Sequence, residues 1–429
     1  MLEERGLCLV NAPALCSGLI LRVKFLTKPI FGREKRVATK VNPNFARTLQ
    51  KFGANTASYC YHCGNCTVVC PLSTDENQFP RRFMRYAQLG MEDKITNAAE
   101  PWLCYFCGDC QRLCPRQANP GEVMMTMRRY LTSLYDWTGL SLKLYTSKTS
   151  EWLAVAGLFL ATLILVFLVQ GGASTEHTEL HRFVPRYLLQ IGGILLGLGL
   201  AGMLALNIRR MHGFIMNSGQ YGGYVKIPAS LYIKELGTFL YHFLTQNRFS
   251  QCPTSRARYI KHLLLVWGFL VLFGYAGLFV LIEIIKESLH AGIVTGLKVA
   301  FVTGSPHLLF PALHPIRLLE YAATIAILYV VLDSLNGRSA KKEPLHQNSH
   351  STDWTLLLLV GGTIVTGFLT HIFRNLDLPL ATYYTFALHL AFIVPMFVVG
   401  ALFTKWAHAV YRPLALYFLK VKESAAKLL

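Results

Sequence analysis

Charge is scarce in this chain of 429 residues, and negative charge is scarcer. Only 15% of residues are Asp, Glu, Lys or Arg, with 23 acidic against 42 basic side chains and a formal net charge of +19. Beside 53% hydrophobic residues, so little charge excludes an ordinary soluble globular protein. The positive excess invites a nucleic-acid reading, but no nucleic-acid-binding motif accompanies it, and Lys and Arg fall mainly in loops between apolar runs. No Cys-x-x-Cys-His occurs, which argues against covalently attached c-type haem. No glycine-rich phosphate loop stands in a convincing context, so flavin or nicotinamide chemistry has to come from partner chains. A clear leader is also missing: Leu7 to Ile20 is apolar behind Arg5, but its charged flank is weak and two cysteines lie in it. Residues 1–43 therefore read as an N-terminal extension.

Cysteine, by contrast, is plentiful, and its placement is uneven. Eight of the 11 cysteines sit in two nearly identical runs, Cys60-Tyr-His-Cys63-Gly-Asn-Cys66-Thr-Val-Val-Cys70-Pro71 and Cys104-Tyr-Phe-Cys107-Gly-Asp-Cys110-Gln-Arg-Leu-Cys114-Pro115. Each reads C-x2-C-x2-C-x3-C-P. The two-residue spacings let one loop wrap three corners of a 4Fe-4S cubane, while the fourth cysteine, set by the following proline, ligates the other cluster. One cluster is thus expected on Cys60, Cys63, Cys66 and Cys114, the other on Cys104, Cys107, Cys110 and Cys70. A structural zinc pair also uses C-x2-C units, but three cysteines in one short loop followed by x3-C-P, twice over, is the more specific cluster signature. Gly64 and Gly108 are expected where the backbone approaches a cluster sulfide, and Tyr61, His62, Tyr105 and Phe106 where side chains pack around it. Cys8, Cys16 and Cys252 lack ligand spacing and read as ordinary thiols, and the whole usage fits a reducing compartment.

Residues 44–137 read as a small helical domain in which clusters replace part of the missing core. Residues 138–429 read as a membrane domain. Six apolar segments, near 151–170, 186–207, 260–284, 316–335, 354–373 and 380–404, are long enough to cross about 30 Å of hydrocarbon at about 1.5 Å per residue. The loops after the second and fourth segments and the C-terminal tail hold most of the Lys and Arg, whereas the opposite side carries Arg182, Arg186, Lys286, Lys298, Arg317 and Arg374. That bias puts both termini and the cysteine domain in the cytoplasm. The stretch from Ile227 to Phe243, interrupted by Lys234 and Glu235, reads as an interfacial helix. The predicted class is all-α: a helical two-cluster ferredoxin-like domain followed by a six-helix transmembrane cytochrome b domain.

Ionisable residues inside a bilayer are costly, so histidines in spans are functional candidates. His262 and His408 are expected toward the cytoplasm on antiparallel helices, the geometry for ligating one haem b iron. His389 precedes His408 by 19 positions, about 28 Å along one continuous helix, and is the candidate for a second haem near the opposite face. His371 is its expected partner, with His314 and His181 as alternatives. His242 in the interfacial helix is expected near a quinone or a partner protein. Arg256, Arg258 and Arg412 are candidates for the haem propionates, lipid phosphates being the other use for such residues.

The duplicated cysteine run resembles the small iron-sulfur C-type subunits of heterodisulfide reductases. The stretches Arg258-Tyr-Ile-Lys-His262-Leu-Leu-Leu-Val-Trp-Gly268-Phe and Lys405-Trp-Ala-His408-Ala-Val-Tyr-Arg412 resemble the membrane cytochrome b of those enzymes and of respiratory nitrate reductases. Their fusion over roughly residues 44 to 420 is similar to the C-type subunits of quinone-interacting membrane-bound oxidoreductase (Qmo) complexes of sulfate reducers and some sulfur oxidisers. The resemblance implies an electron relay in the prokaryotic inner membrane, with menaquinone as substrate, flavin and iron-sulfur subunits as partners, and adenylylsulfate reductase beyond them. Other quinone-linked complexes of the heterodisulfide reductase or acyl-CoA dehydrogenase type share the architecture, and a redox-sensing membrane iron-sulfur protein is the rival from another class. One departure is plain: nitrate-reductase-type cytochromes carry a second histidine about three turns along the same span, and Leu272 to Tyr275 offer none.

Overall fold

The cysteine runs and the apolar segments fold as parts of one helical unit. The computed structural model describes residues 40–216, 227–252, 254–290 and 315–427, with the side chains of residues 181, 186 and 279–290 left aside. The contacts divide the chain into Met1–Val37, outside the described residues, and a compact unit spanning Ala38–Leu429. Of the expected extension only residues 40–43 are therefore described, and Cys8, Cys16 and His314 also fall outside. Among the described residues every regular element is helical.

The cysteine domain contains α1 (Phe45–Lys51), the single-turn α2 (Asn65–Val68), α3 (Arg81–Leu89), the single-turn α4 (Asp109–Arg112) and α5 (Pro120–Tyr135). Proline at its first position pre-sets the helical φ of α5, and nearly every side chain of that helix is buried. Around it pack Phe45, Leu49, Phe52, Phe83, Met84 and Ile95, with Cys60, Cys70, Cys104 and Cys114 against the same core. Each such side chain taken from water contributes roughly 1.5–3 kcal/mol. Tyr130 of α5 meets Phe45 and Phe52 edge-on, at centroid distances of 5.4 and 5.7 Å. The buried Arg129 on the same helix is paired with Glu122 at 2.8 Å and donates to the carbonyl of Phe52 at 2.9 Å, so its charge is not left uncompensated.

Among the described residues six helices are long and apolar enough to span a membrane, and the chain is a multi-pass membrane protein. They belong to α6 (Lys148–Val169), α7 (Arg186–Met216), α9 (Arg256–His290), α10 (Pro315–Ser339), α11 (Ser351–Asn375) and α12 (Pro379–Pro395) with the turn that follows it; α8 (Leu236–Thr245) lies between the second and third spans. At ten residues, about 15 Å, α8 is too short to cross, in keeping with an interfacial helix.

The sixth segment departs from expectation. His389 and His408 do not share one continuous helix, because α12 ends at Pro395, passes through a π-helical turn at Met396–Ala401 and breaks at Thr404, where φ is −129° and ψ −147°. A new helix, α13 (His408–Ala426), starts at the histidine itself. Pro395 and Gly400 lie in an uninterrupted apolar run, which conceals the break in the hydrophobic pattern. The break puts His408 at a helix start, and α13 packs against the interfacial segment and the cysteine domain.

Candidate functional site

The two cysteine runs fold almost identically. In each, the residue before the second cysteine has positive φ (His62 at 61°, Phe106 at 54°), and so does the glycine after that cysteine (Gly64 at 93°, Gly108 at 88°). Left-handed backbone at a glycine carries no Cβ penalty, and it turns the chain into the single-turn helix bearing the third cysteine, Cys66 or Cys110. At Gly108 an added Cβ would also come within 2.7 Å of Leu345, a residue of the membrane domain.

The eight thiols fall into two groups. Cys66 senses the charges of Cys60, Cys114 and Cys63, whereas Cys110 senses Cys104, Cys107 and Cys70 before the more distant Cys66. Cys70, Cys104, Cys107 and Cys110 line one cavity. Each group thus draws three cysteines from one run and the fourth from the other. Burial pushes the Cys66 thiol up to about 11 and Cys70 up to about 12, so loading either with metal must expel a proton. Cys107 is the exception: a hydrogen bond from the Cys252 thiol brings it down to about 7.

The second run is clasped by the membrane domain. Arg412 of α13 donates from Nε to the carbonyl of Trp102 at 3.1 Å and from Nη2 to that of Cys104 at 2.5 Å, its guanidinium lying 4.0 Å over the Tyr105 ring. Arg258 of α9 donates to the carbonyls of Phe106, at 3.0 Å, and of Cys107. Thr254 bonds both Asp109 and Arg112. Tyr105 stacks on Phe249 at 4.8 Å, Phe249 meets the His262 ring edge-on at 5.8 Å, and His262 faces His408 with centroids 6.5 Å apart.

That last spacing is compatible with a metal held between the two rings. A metal bound about 2.0 Å from one nitrogen of each ring puts the two imidazole centroids roughly 6.3 Å apart. His408 Nδ1 is bonded to the carbonyl of Lys405, which leaves Nε2 as the free nitrogen. His262 Nδ1 is buried and has no partner among the described residues. Both rings line a cavity of about 370 Å³ together with Arg258, Lys261, Arg338, Lys342 and Arg412, five cations against the two carboxylates of Asp333 and Glu343, which pair with Lys261 and Arg258. Such a site fits a flat tetrapyrrole carrying negative carboxylates, and its size lies within the roughly 300–1,000 Å³ of cofactor pockets.

Other candidates are engaged elsewhere. The Arg412 guanidinium, expected at a propionate, is held by carbonyls and aromatic faces, and Arg258 is likewise bonded to the cysteine loop, although both border the cavity. Arg256 is exposed and is not among the lining residues. His371 is bonded to Tyr321 at 2.8 Å, Asn375 at 3.0 Å and Arg317 at 3.2 Å. His389 is bonded through Nδ1 to the carbonyl of Thr363 at 3.0 Å and lies against Gly367, where a Cβ would come within 2.7 Å of its ring. Among the described ring contacts His371 and His389 do not meet, although the His389 bond, like that of His408, uses Nδ1. His242 lines a separate cavity of about 380 Å³ with Tyr241, Arg248 and Lys420.

Phe249, Cys252 and His346 are residues that sequence patterns did not single out; none has a diagnostic spacing, and only folding delivers them to the cavities they line.

The 4Fe-4S dicluster domain family matches residues 56–118. A protein of Archaeoglobus profundus that is like the C-type subunit of heterodisulfide reductase is 30% identical over 110 residues, which is 25% of this chain and 58% of that protein. The C-type subunit of the H(2):CoB-CoM heterodisulfide,ferredoxin reductase of Methanothermobacter thermautotrophicus is 30% identical over 73 residues, or 17% of this chain and 40% of that protein. The chain therefore spans about half the length of these relatives. No solved structure matches. Residues 56–118 form a 4Fe-4S dicluster domain, joined to a multi-pass membrane domain.

Proposed function

We propose that this chain carries electrons between soluble redox partners and a membrane quinone through a fixed series of one-electron sites. The order runs from the cluster on Cys60, Cys63, Cys66 and Cys114 to that on Cys104, Cys107, Cys110 and Cys70, and on to a single haem b held by His262 and His408. The observation that carries the reading is the unbroken run of rings, Tyr105 to Phe249 to His262 to His408, joining the second cysteine loop to the histidine pair. Cluster and haem supply the electron storage, with potentials set by hydrogen bonds and burial.

The chain's own residues do the rest. Arg412 and Arg258 tie the cysteine loop to the two helices that bear the histidines, fixing the distance between donor and acceptor. Tyr105 and Phe249 are both buried and keep water out of the gap. Lys405 accepts at its carbonyl from His408 Nδ1 and so orients the ring. The basic lining of the cavity balances carboxylates that would be costly to bury alone. The positive loops support a cytoplasmic cysteine domain. Menaquinone as substrate, flavin and iron-sulfur subunits of a Qmo-like or heterodisulfide reductase-like complex as partners, and adenylylsulfate reductase beyond them complete the reading.

The test is a pyridine haemochrome assay with iron quantification on the purified chain. About eight non-haem irons and one haem b per chain are expected from the ligand sets; two haems would restore a role for His389, and none would overturn the membrane half.

A further inference from the structure

The second cysteine group has a fifth thiol beside it. Cys252 is 6% exposed and lines the same cavity as Cys70, Cys104, Cys107 and Cys110. It packs in one cluster with Tyr105 and Phe249, and Cys107 lies against it. It does not come from the cysteine domain but from the connection between α8 and α9. That connection is fastened at several points: Tyr105 bonds Gln246 at 3.4 Å, Thr254 bonds Asp109 and Arg112, and Arg258 holds the carbonyls of Phe106 and Cys107. The first group has no such neighbour, since every other cysteine among the described residues belongs to one of the two runs.

Four cysteines complete the ligand set of a cubane, so a fifth sulfur at this position has a different use. We propose that Cys252 is a non-ligating thiol that donates an S–H hydrogen bond to the Cys107 sulfur and thereby raises the potential of the second cluster above that of the first. Reduction adds negative charge to the cluster sulfurs, and a donor aimed at one of them stabilises the reduced form more than the oxidised one. Because the donor arrives on a membrane-domain loop, the potential of the second cluster becomes a property of the assembled chain: the loop that brings Phe249 to His262 also makes the cluster a better electron acceptor. Cys252 is a positioning and tuning residue in this account. The inference rests on the two-cluster part of the proposed function and is independent of the haem.

The experiment is a redox titration of the full-length protein in detergent, followed by the electron paramagnetic resonance signals of both clusters, for the wild type, Cys252→Ala and Cys252→Ser. The expected result is a shift of the second cluster to lower potential in Cys252→Ala, an unchanged first cluster, and a potential restored to or above the wild-type value in Cys252→Ser, whose hydroxyl still donates. Iron quantification accompanies each titration. No shift in Cys252→Ala with both clusters present would overturn the proposal. Loss of about four irons in Cys252→Ala would overturn it in another way, by making Cys252 a ligand. Absence of both clusters from the wild type would refute the cluster reading itself, whereas absence of haem would leave this test intact.

Discussion

The same twelve-residue pattern is used twice in this chain, and the two copies meet opposite surroundings. Tyr61 and Tyr105 occupy the same place in their runs, yet Tyr61 is 71% exposed while Tyr105 is 8% exposed. Each lies under an arginine, but Arg116 over Tyr61 belongs to the cysteine domain, and Arg412 over Tyr105 comes from the helix that begins at His408. Cys63 is exposed, whereas Cys104 and Cys110 are buried. Around the first run Arg81, Arg82 and Arg85 border an open cavity with Cys60 and Tyr61; around the second, the membrane helices close in. The motif determines which sulfurs can hold a cluster, and the surroundings determine what that cluster can exchange electrons with. One lobe is open at the surface and the other is enclosed by the membrane domain.

The most severe way to break this asymmetry is at its inner end. His408→Ala and His262→Ala should each abolish the haem b absorbance of the purified chain while leaving the cluster iron unchanged, since neither imidazole lies in a cysteine group. Retention of a full haem complement in both variants would remove the histidine pair from the account.

Next in size is the clasp. Arg412→Ala strips one of two donors from the carbonyls of Trp102 and Cys104, Arg128 keeping the other, at about 0.5–1.5 kcal/mol per bond. It also removes a buried cation–π contact worth about 2 kcal/mol. Arg116→Ala removes only an exposed cation–π contact, worth about 0.5–1 kcal/mol. Thermal denaturation in detergent should therefore separate the two arginines clearly, although they sit over equivalent tyrosines. Equal effects would erase the distinction between the lobes.

The bridge gives a subtler contrast. Phe249→Leu keeps an apolar side chain but removes the ring between Tyr105 and His262, and it should slow electron transfer from the second cluster to the haem severalfold in flash or stopped-flow measurements. Tyr61→Leu should leave that internal rate unaltered. The smallest effect, on rate alone, is expected at the outer face. Neutralising Arg81 and Arg85 to Gln should lower association with an acidic partner about twofold at low salt, a difference that fades as ionic strength rises. A salt-independent defect would point to lost folding instead.

Much of this was legible before folding, for identifiable reasons. Six spans announce themselves by length and apolarity, and the helical class with its iron-sulfur domain follows from local patterns in Cys60–Pro71 and Cys104–Pro115. What eluded the sequence depends on contacts between distant segments. Arg258 and Arg412 look like any basic residues at a membrane boundary, and only tertiary structure turns them toward the carbonyls of residues 102 to 107. Cys252 has no ligand spacing because its partner, Cys107, lies in another domain. The break after Pro395 is masked by an apolar run that continues through it. His371 and His389 are individually attractive as intramembrane imidazoles, but Tyr321 and Asn375 hold the first, and no described ring contact brings it to the second.

The central claim is an order: first cluster outside, second cluster inside, haem innermost. Rapid-freeze spectroscopy of the fully reduced protein after mixing with an oxidised menaquinone analogue tests it most directly. Both clusters are expected to be oxidised in the wild type and to stay reduced on the same timescale in haem-free His408→Ala, because the haem is their route to the quinone. Oxidation of the clusters at the wild-type rate in the haem-free variant would contradict that order.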